Sequence, residues 1–185
     1  MRKWIGILIG IIALLSLILT VSCAPAETDT TSYGEDRAQI EDLQARYLFA
    51  LDFFDMDTYV STFTEDGILD IVEYQVQGRE EIREALEESR GVFDPASENA
   101  DGSHPPTGRH NITNIVLKIE GDKAFGRSYW FHYGNTNPER RAVLDAYGHY
   151  EDEMVKVDGQ WLFSKRKIYN ESVPAWIGPS DNPAW

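Results

Sequence analysis

Residues 110–134 read His110-Asn111-Ile112-Thr113-Asn114-Ile115-Val116-Leu117-Lys118-Ile119-Glu120, then Gly121-Asp122, then Lys123-Ala124-Phe125-Gly126-Arg127-Ser128-Tyr129-Trp130-Phe131-His132-Tyr133-Gly134. β-Branched and aromatic residues dominate both runs, and the Gly-Asp step between them is a tight-turn signal, so the stretch predicts a long antiparallel hairpin. The arrangement recurs downstream, where Val143 to Val157 and Gln160 to Asn170 flank Asp158-Gly159, a good type I′ turn. Upstream the period changes. Ile40, Leu43, Tyr47, Leu51 and Phe54 fall on one helix face, which predicts a helix over 36–54 with Asp36 as its N-cap. Asp57 caps a short second helix through Phe63, and Ile68 to Tyr74 alternates as a strand. Arg79 to Ser89 reads as a charged helix that turns Ile82, Ala85 and Leu86 inward. Phe93 to Gly108, rich in Pro, Asp, Ser and Gly, reads as a loop. Helices in the first half and a long meander in the second predict an α+β fold, with helices covering one face of a curved sheet.

The first thirty residues have a different grammar. Met1-Arg2-Lys3 is positive, Trp4 to Val21 is apolar or small without a charge, and Ser22-Cys23-Ala24-Pro25-Ala26 is small. That order predicts a signal peptide over 1–22. An uncleaved anchor is the alternative, because the apolar run is about long enough to span a bilayer. Cys23 is the only cysteine in the chain. Thr20-Val21-Ser22-Cys23 is similar to a bacterial lipoprotein box, with Thr20 where Leu is usual. Lipidation of Cys23 is therefore the expectation, and with it a membrane anchor on the periplasmic side of a bacterial membrane. Plain cleavage after Ala26 is the rival and would discard the cysteine. Residues 23–34 form a polar tether, 35–172 the folded domain, and 173–185 an irregular tail with three Pro and two Trp.

With Arg2 and Lys3 assigned to the leading segment, 15 basic residues face 31 acidic ones, a net charge of −16. Such a domain is repelled by phosphate backbones, and no basic run offsets this, so nucleic acid is excluded as a partner. No metal is expected. His104, His132 and His149 lack an organised partner set, and the domain has no cysteine. Glycine-rich phosphate loops and G-x-S-x-G elbows are also missing from the sequence. Asn111-Ile112-Thr113 and Asn170-Glu171-Ser172 match glycosylation sequons by chance.

A regular hairpin about Gly121-Asp122 sets His110 opposite Tyr133, Ile112 opposite Phe131 and Asn114 opposite Tyr129, all on one face. Ile115, Leu117 and Ile119 then share the other face with Ser128, Gly126 and Ala124. A His, an Asn and three aromatics on one face suit the wall of a small-molecule pocket; a β-bulge would swap the faces. In the last hairpin the same reasoning pairs Asp152 with Lys165 and Glu151 with Arg166 as surface ion pairs. Asp52 lies about 140° around the first helix from its apolar stripe, where a carboxylate is ordinarily solvated.

Several short segments resemble one family. Ile40-Glu41-Asp42-Leu43-Gln44-Ala45-Arg46-Tyr47 followed by Ala50-Leu51-Asp52, then Phe63-Thr64-Glu65-Asp66-Gly67 and Gly78-Arg79-Glu80-Glu81-Ile82, are similar to the opening of SnoaL-like proteins of the nuclear transport factor 2 superfamily. Arg109-His110-x-x-Thr113-Asn114 and the run from Gly148-His149-Tyr150 to Trp161 and Arg166 resemble its central strand and last hairpin. The resemblance implies a cystatin-like cone, with a curved, mixed but mostly antiparallel sheet wrapped around a long N-terminal helix. Relatives include scytalone dehydratase, hexachlorocyclohexane dehydrochlorinase, ketosteroid isomerase and polyketide cyclases, which transfer protons without a cofactor. By that resemblance Asp52 and His110 fall on a catalytic dyad and Tyr47 lies at the mouth of the cavity, where its hydroxyl is the expected oxyanion donor; the shared hairpin face makes Ile112, Asn114, Tyr129, Phe131 and Tyr133 the expected substrate-binding residues. A lyase or isomerase acting on a small apolar molecule, a non-catalytic ligand binder and a homodimerising module are the three readings this fold admits.

Overall fold

Ser32 starts the first helix. Its hydroxyl accepts from the Glu35 N–H at 3.3 Å while the Glu35 carboxylate accepts from the Ser32 N–H at 2.7 Å, a reciprocal capping box. The computed structural model describes residues 32–72, 74–93 and 108–185. The expected signal segment, Cys23, most of the tether and most of the 93–108 loop lie outside these residues. Helix α1 spans Tyr33–Phe53 and buries Ile40, Leu43 and Tyr47 completely. Asp36 is not its cap. It is a buried acceptor for the indole N–H of Trp161 at 2.9 Å and for Lys156, because a capping residue four positions earlier frees it to face the sheet.

Phe54, in the left-handed conformation, ends α1, and Asp55 rather than Asp57 caps α2 (Met56–Ser61) by accepting from the Thr58 N–H. Strand β1 (Phe63–Ile71) begins where the sequence predicts the end of a helix. Val72 at positive φ then turns the chain into the short β2 (Tyr74–Gln77), so the expected single strand is a hairpin. Helix α3 (Arg79–Phe93), β3 (Gly108–Glu120), β4 (Lys123–Gly134), β5 (Val143–Val157) and β6 (Gln160–Asn170) follow. They form one six-stranded sheet in the order β2-β1-β6-β5-β4-β3, antiparallel except for the β1–β6 pair. α1 packs on β3 and β6, so the core lies between helix and sheet.

Both predicted tight turns form, but neither hairpin stays regular. From the turn to Val116↔Arg127 the β3–β4 register is the expected one. Asn114 and Ile115 then oppose Ser128 together, with Asn114 at φ 53°, and the register beyond is displaced by one residue. In β5–β6 the shift comes between Glu153 and Met154, where Ser164 is the extra residue. Beyond it Asp152 pairs with Arg166 rather than Lys165, and Glu151 with Lys167 rather than Arg166. Since side chains alternate with period two, each one-residue shift exchanges the faces.

The tail after β6 makes one 3₁₀ turn, Pro174–Trp176, and is otherwise irregular. It returns across the outer sheet face, where Arg127 donates to the Pro183 carbonyl at 3.1 Å and lies 5.1 Å from the centre of the Trp185 ring.

Candidate active site

The bulge in β3 decides which residues surround His110. Because of it His110 opposes His132 and Ile112 opposes Trp130, all on the core face. Asn111, Thr113 and Arg109 take the outer face, opposite Phe131, Tyr129 and Tyr133. The expected substrate-binding residues are therefore divided between the two faces. Ile112 shares the inner face with His110, whereas Tyr129, Phe131 and Tyr133 lie on the opposite face, with Tyr129 and Tyr133 exposed, and Asn114 sits in the bulge itself.

Asp52 and His110 meet. The Asp52 Oδ1 lies 2.6 Å from His110 Nδ1, and the His110 backbone N–H donates to the same carboxylate at 3.0 and 3.2 Å. The Asp52 side chain is only 7% exposed. It occupies the last turn of α1, where the helix dipole disfavours an anion and no basic residue compensates. Donors from β3 supply that compensation. Since a carboxylate only accepts, the neutral imidazole of His110 is held in the tautomer with its proton on Nδ1, which leaves Nε2 as the nitrogen with the lone pair. The His110 side chain is 24% exposed, so that lone pair is accessible. Arg109 pins the neighbouring backbone by placing its guanidinium 4.5 Å from the centre of the Phe53 ring on α1.

A second pair stands beside the first. His132 Nδ1 lies 2.7 Å from Asp145 Oδ1, and the rings of His110 and His132 are 4.5 Å apart. Asp145 owes its position to a third bulge, since Tyr133 pairs with Leu144 and His132 with Ala146, which leaves Asp145 as the extra residue. Two glycines make room for this pair. A Cβ on Gly134 would lie 1.9 Å from Asp145 Oδ2, and one on Gly108 would lie 2.1 Å from His132 Nε2. Sequence reasoning missed Asp145 and His132. The signal available was an Asp interrupting the apolar run Val143-Leu144-Asp145-Ala146-Tyr147, a mark of an irregular strand.

Trp130 forms the floor, 5.9 Å from His110 and 5.9 Å from Tyr150 between ring centres, with its indole N–H donated to the Tyr169 carbonyl. Tyr47 is not brought to the dyad. It is fully buried, accepts a 2.7 Å hydrogen bond from the Tyr59 hydroxyl, and lies under the Arg166 guanidinium at 4.1 Å. Burial raises its hydroxyl above the ordinary phenol value despite the opposing charge of Arg166. Arg166 itself is sealed. It forks onto Asp152 through two 2.8 Å bonds, with both side chains fully buried and Gln44 donating to the same carboxylate at 3.1 Å. Burial works against its charge, but Asp152 holds it protonated above its ordinary range. An open groove of about 380 Å³ on the solvent side of α1, between Phe49 and Phe53, is separate and contains neither Asp52 nor His110 in its lining.

A six-stranded mixed sheet around a long helix, with paired imidazole–carboxylate contacts on its inner face, defines a protein of the cystatin-like α+β class. This chain belongs to the SnoaL-like domain family, whose model matches residues 32–167. Among solved structures it is similar to a provisionally assigned scytalone dehydratase from Novosphingobium aromaticivorans, with 24% identity over 80% of this chain and 93% of that one and a TM-score of 0.60. It is also similar to a provisionally assigned aromatic ring hydroxylase from the same organism, with 30% identity, coverage of 74% and 90%, and a TM-score of 0.57. ActVI-ORFA from Streptomyces coelicolor shares 21% identity, coverage of 74% and 98%, and a TM-score of 0.61. No curated protein matches the sequence.

Proposed function

We propose that this protein is an exported lyase or isomerase that moves a proton on a small, largely apolar molecule without a cofactor, using His110 as general base and Asp52 as its orienter. The observation that carries this reading is the 2.6 Å contact between buried Asp52 and the accessible His110. His110 Nε2 takes a proton from a carbon next to a carbonyl, and the electron pair moves onto the carbonyl oxygen. Asp52 stabilises the imidazolium that results. The proton then returns to a different carbon, which completes an isomerisation. Alternatively a β-hydroxyl leaves with that proton as water, which completes a dehydration. In the dehydration, His132, oriented by Asp145, hydrogen-bonds the departing β-hydroxyl. The dehydratase among the similar structures supports the second outcome.

Hydrogen–deuterium exchange at carbon, followed by NMR over a panel of cyclic ketones and hydroxylated aromatics, tests this, because exchange reports proton abstraction even where no product forms. Asp52→Asn and His110→Gln are expected to slow exchange by about 10²–10⁴-fold. Undiminished exchange in His110→Gln would sink the reading. The anchor is proposed on the box ending at Cys23, and the mass of the exported protein tests it: a diacylated Cys23 is expected, and a mature chain starting at Glu27 overturns it.

A further inference from the structure

We propose that His149 is a proton-operated latch that fastens the tail after β6 to the outer face of the sheet, closed while the imidazole is charged and released as it loses its proton. The inference concerns the face opposite the Asp52–His110 pair and does not depend on the proton-transfer reading.

Alternation along β5 puts Tyr147, His149 and Glu151 on the outer face, with His149 between Tyr129 of β4 and Tyr169 of β6, and Glu151 between Arg127 and Lys167. Side chains on an open sheet face are ordinarily wet, and Tyr129 and Tyr147 are each about half exposed. His149 is only 6% exposed. The tail makes that difference. Gly178 packs over the imidazole so closely that an added Cβ would lie 2.6 Å from His149 Cε1 and 3.2 Å from the Tyr169 ring. From the other side Tyr169 stacks on the imidazole at 4.4 Å.

Both ring nitrogens face carboxylates. Nδ1 lies 3.1 Å from Glu171 Oε1, and Nε2 lies 3.8 Å from Glu151 Oε1. A neutral imidazole has one hydrogen to share between them. With that hydrogen given to Glu171, Nε2 is a buried nitrogen without a hydrogen-bond partner, its lone pair turned towards an anion. An imidazolium has a hydrogen on each nitrogen and an acceptor for each. A polar atom buried without a partner is destabilising, so the covered state favours the charged ring, whereas in the uncovered state water serves either form.

The other charges around the ring are accounted for. Arg127 and Lys167 oppose a further cation, but Arg127 Nη2 lies 3.3 Å from Glu151 Oε2, and Lys167 Nζ lies 4.8 Å from the centre of the Tyr169 ring. Tyr129 and Tyr169 are phenols, a type that is neutral where imidazole titrates. Residues 173–185 carry a single charged side chain, Asp181, so the tail brings no cation to the site. Glu151 links the latch to the far end of the tail. The carboxylate that faces His149 also holds Arg127, which donates to the Pro183 carbonyl and lies against the Trp185 ring. Release uncovers His149, Tyr169 and Arg127 and joins them to Tyr129 and Tyr147 in one aromatic strip.

Fluorine NMR of the full chain carrying 5-fluorotryptophan tests the latch, with the Trp185 signal identified by its loss in Trp185→Phe. In the wild type that signal is expected to move from a covered to a solvent-exposed position between pH 5 and 8, the span in which imidazoles change charge. His149→Gln is expected to abolish the movement. The reciprocal measurement keeps the imidazole and disturbs the tail. Gly178→Ala forces the tail away from the ring, and nitrogen NMR of labelled histidines is expected to show His149 holding its proton about fivefold or more weakly than in the wild type, because linkage is mutual. His110 and His132 should be unaffected. Should His149→Gln fail to fold, Gly178→Ala decides. A Trp185 signal that ignores pH, one that moves equally in His149→Gln, or an unchanged proton affinity of His149 in Gly178→Ala overturns the proposal.

Discussion

The two long hairpins start alike and end differently. Each is regular at its turn, and each takes an extra residue partway along, Asn114-Ile115 against Ser128 in one and Ser164 in the other. In β5–β6 the shift turns Asp152 and Arg166 inward and opposite each other, where rings from Tyr47, Tyr150 and Phe163 close over the guanidinium at 4.1–4.2 Å. In β3–β4 it turns His110 inward, to meet Asp52 with one ring nitrogen while the other stays accessible. Both results are carboxylate–cation or carboxylate–imidazole pairs on the same sheet face. The difference between them is access. A pair with every group enclosed can hold the fold together but cannot exchange a proton with a ligand, whereas a pair with one open nitrogen can.

The sealed pair should therefore dominate stability and be indifferent to chemistry. Arg166→Met leaves Asp152 charged and fully buried with only Gln44 to satisfy it, and is expected to destabilise by about 3–5 kcal/mol. Denaturant unfolding checks the value. Arg166→Met combined with Asp152→Leu removes both charges and is expected to recover most of that loss, because the pair's own desolvation cancels much of its attraction. If the double variant remains as unstable as the single one, the stacking of the guanidinium on three rings, rather than the ion pair, is what the core depends on.

Much of the fold was legible in local sequence, because helices and turns are local. The face of α1 at Ile40, Leu43 and Tyr47, the strand limits of the second half and both tight turns follow from periodicity and turn chemistry. The bulges did not follow, because each depends on packing between segments distant in the chain. With the bulge unread, Tyr129, Phe131 and Tyr133 take the place of Trp130 and His132 in the expected site, and Arg166–Asp152 goes unrecognised as a buried pair. The burial of Asp52 was hidden for the same reason. Around the isolated helix it lies on the solvated side, and only β3, arriving 58 residues later, covers it. The resemblance to a family placed Asp52 and His110 together where periodicity could not, but it could not show that Tyr47 is tied to Tyr59.

The open side of the comparison can be sharpened at Gly108, which touches neither Asp52 nor Arg166. A Cβ there would lie 2.1 Å from His132 Nε2, 2.4 Å from its Cε1 and 2.4 Å from the Tyr133 carbonyl oxygen, and the last of these is backbone that cannot swing aside. Gly108→Ala must therefore push the His132 ring off its tilted contact with His110 and away from Asp145, or separate β3 from β4 at that end. Overpacking of this kind is expected to destabilise by about 1–3 kcal/mol, less than loss of the sealed pair. If the second imidazole assists the reaction, exchange activity should fall well beyond what the unfolded fraction explains. Measuring melting and exchange on the same sample separates the two. Activity that merely tracks the folded fraction would assign His132–Asp145 to packing, and leave His110 as the one histidine of the pair with chemistry to perform.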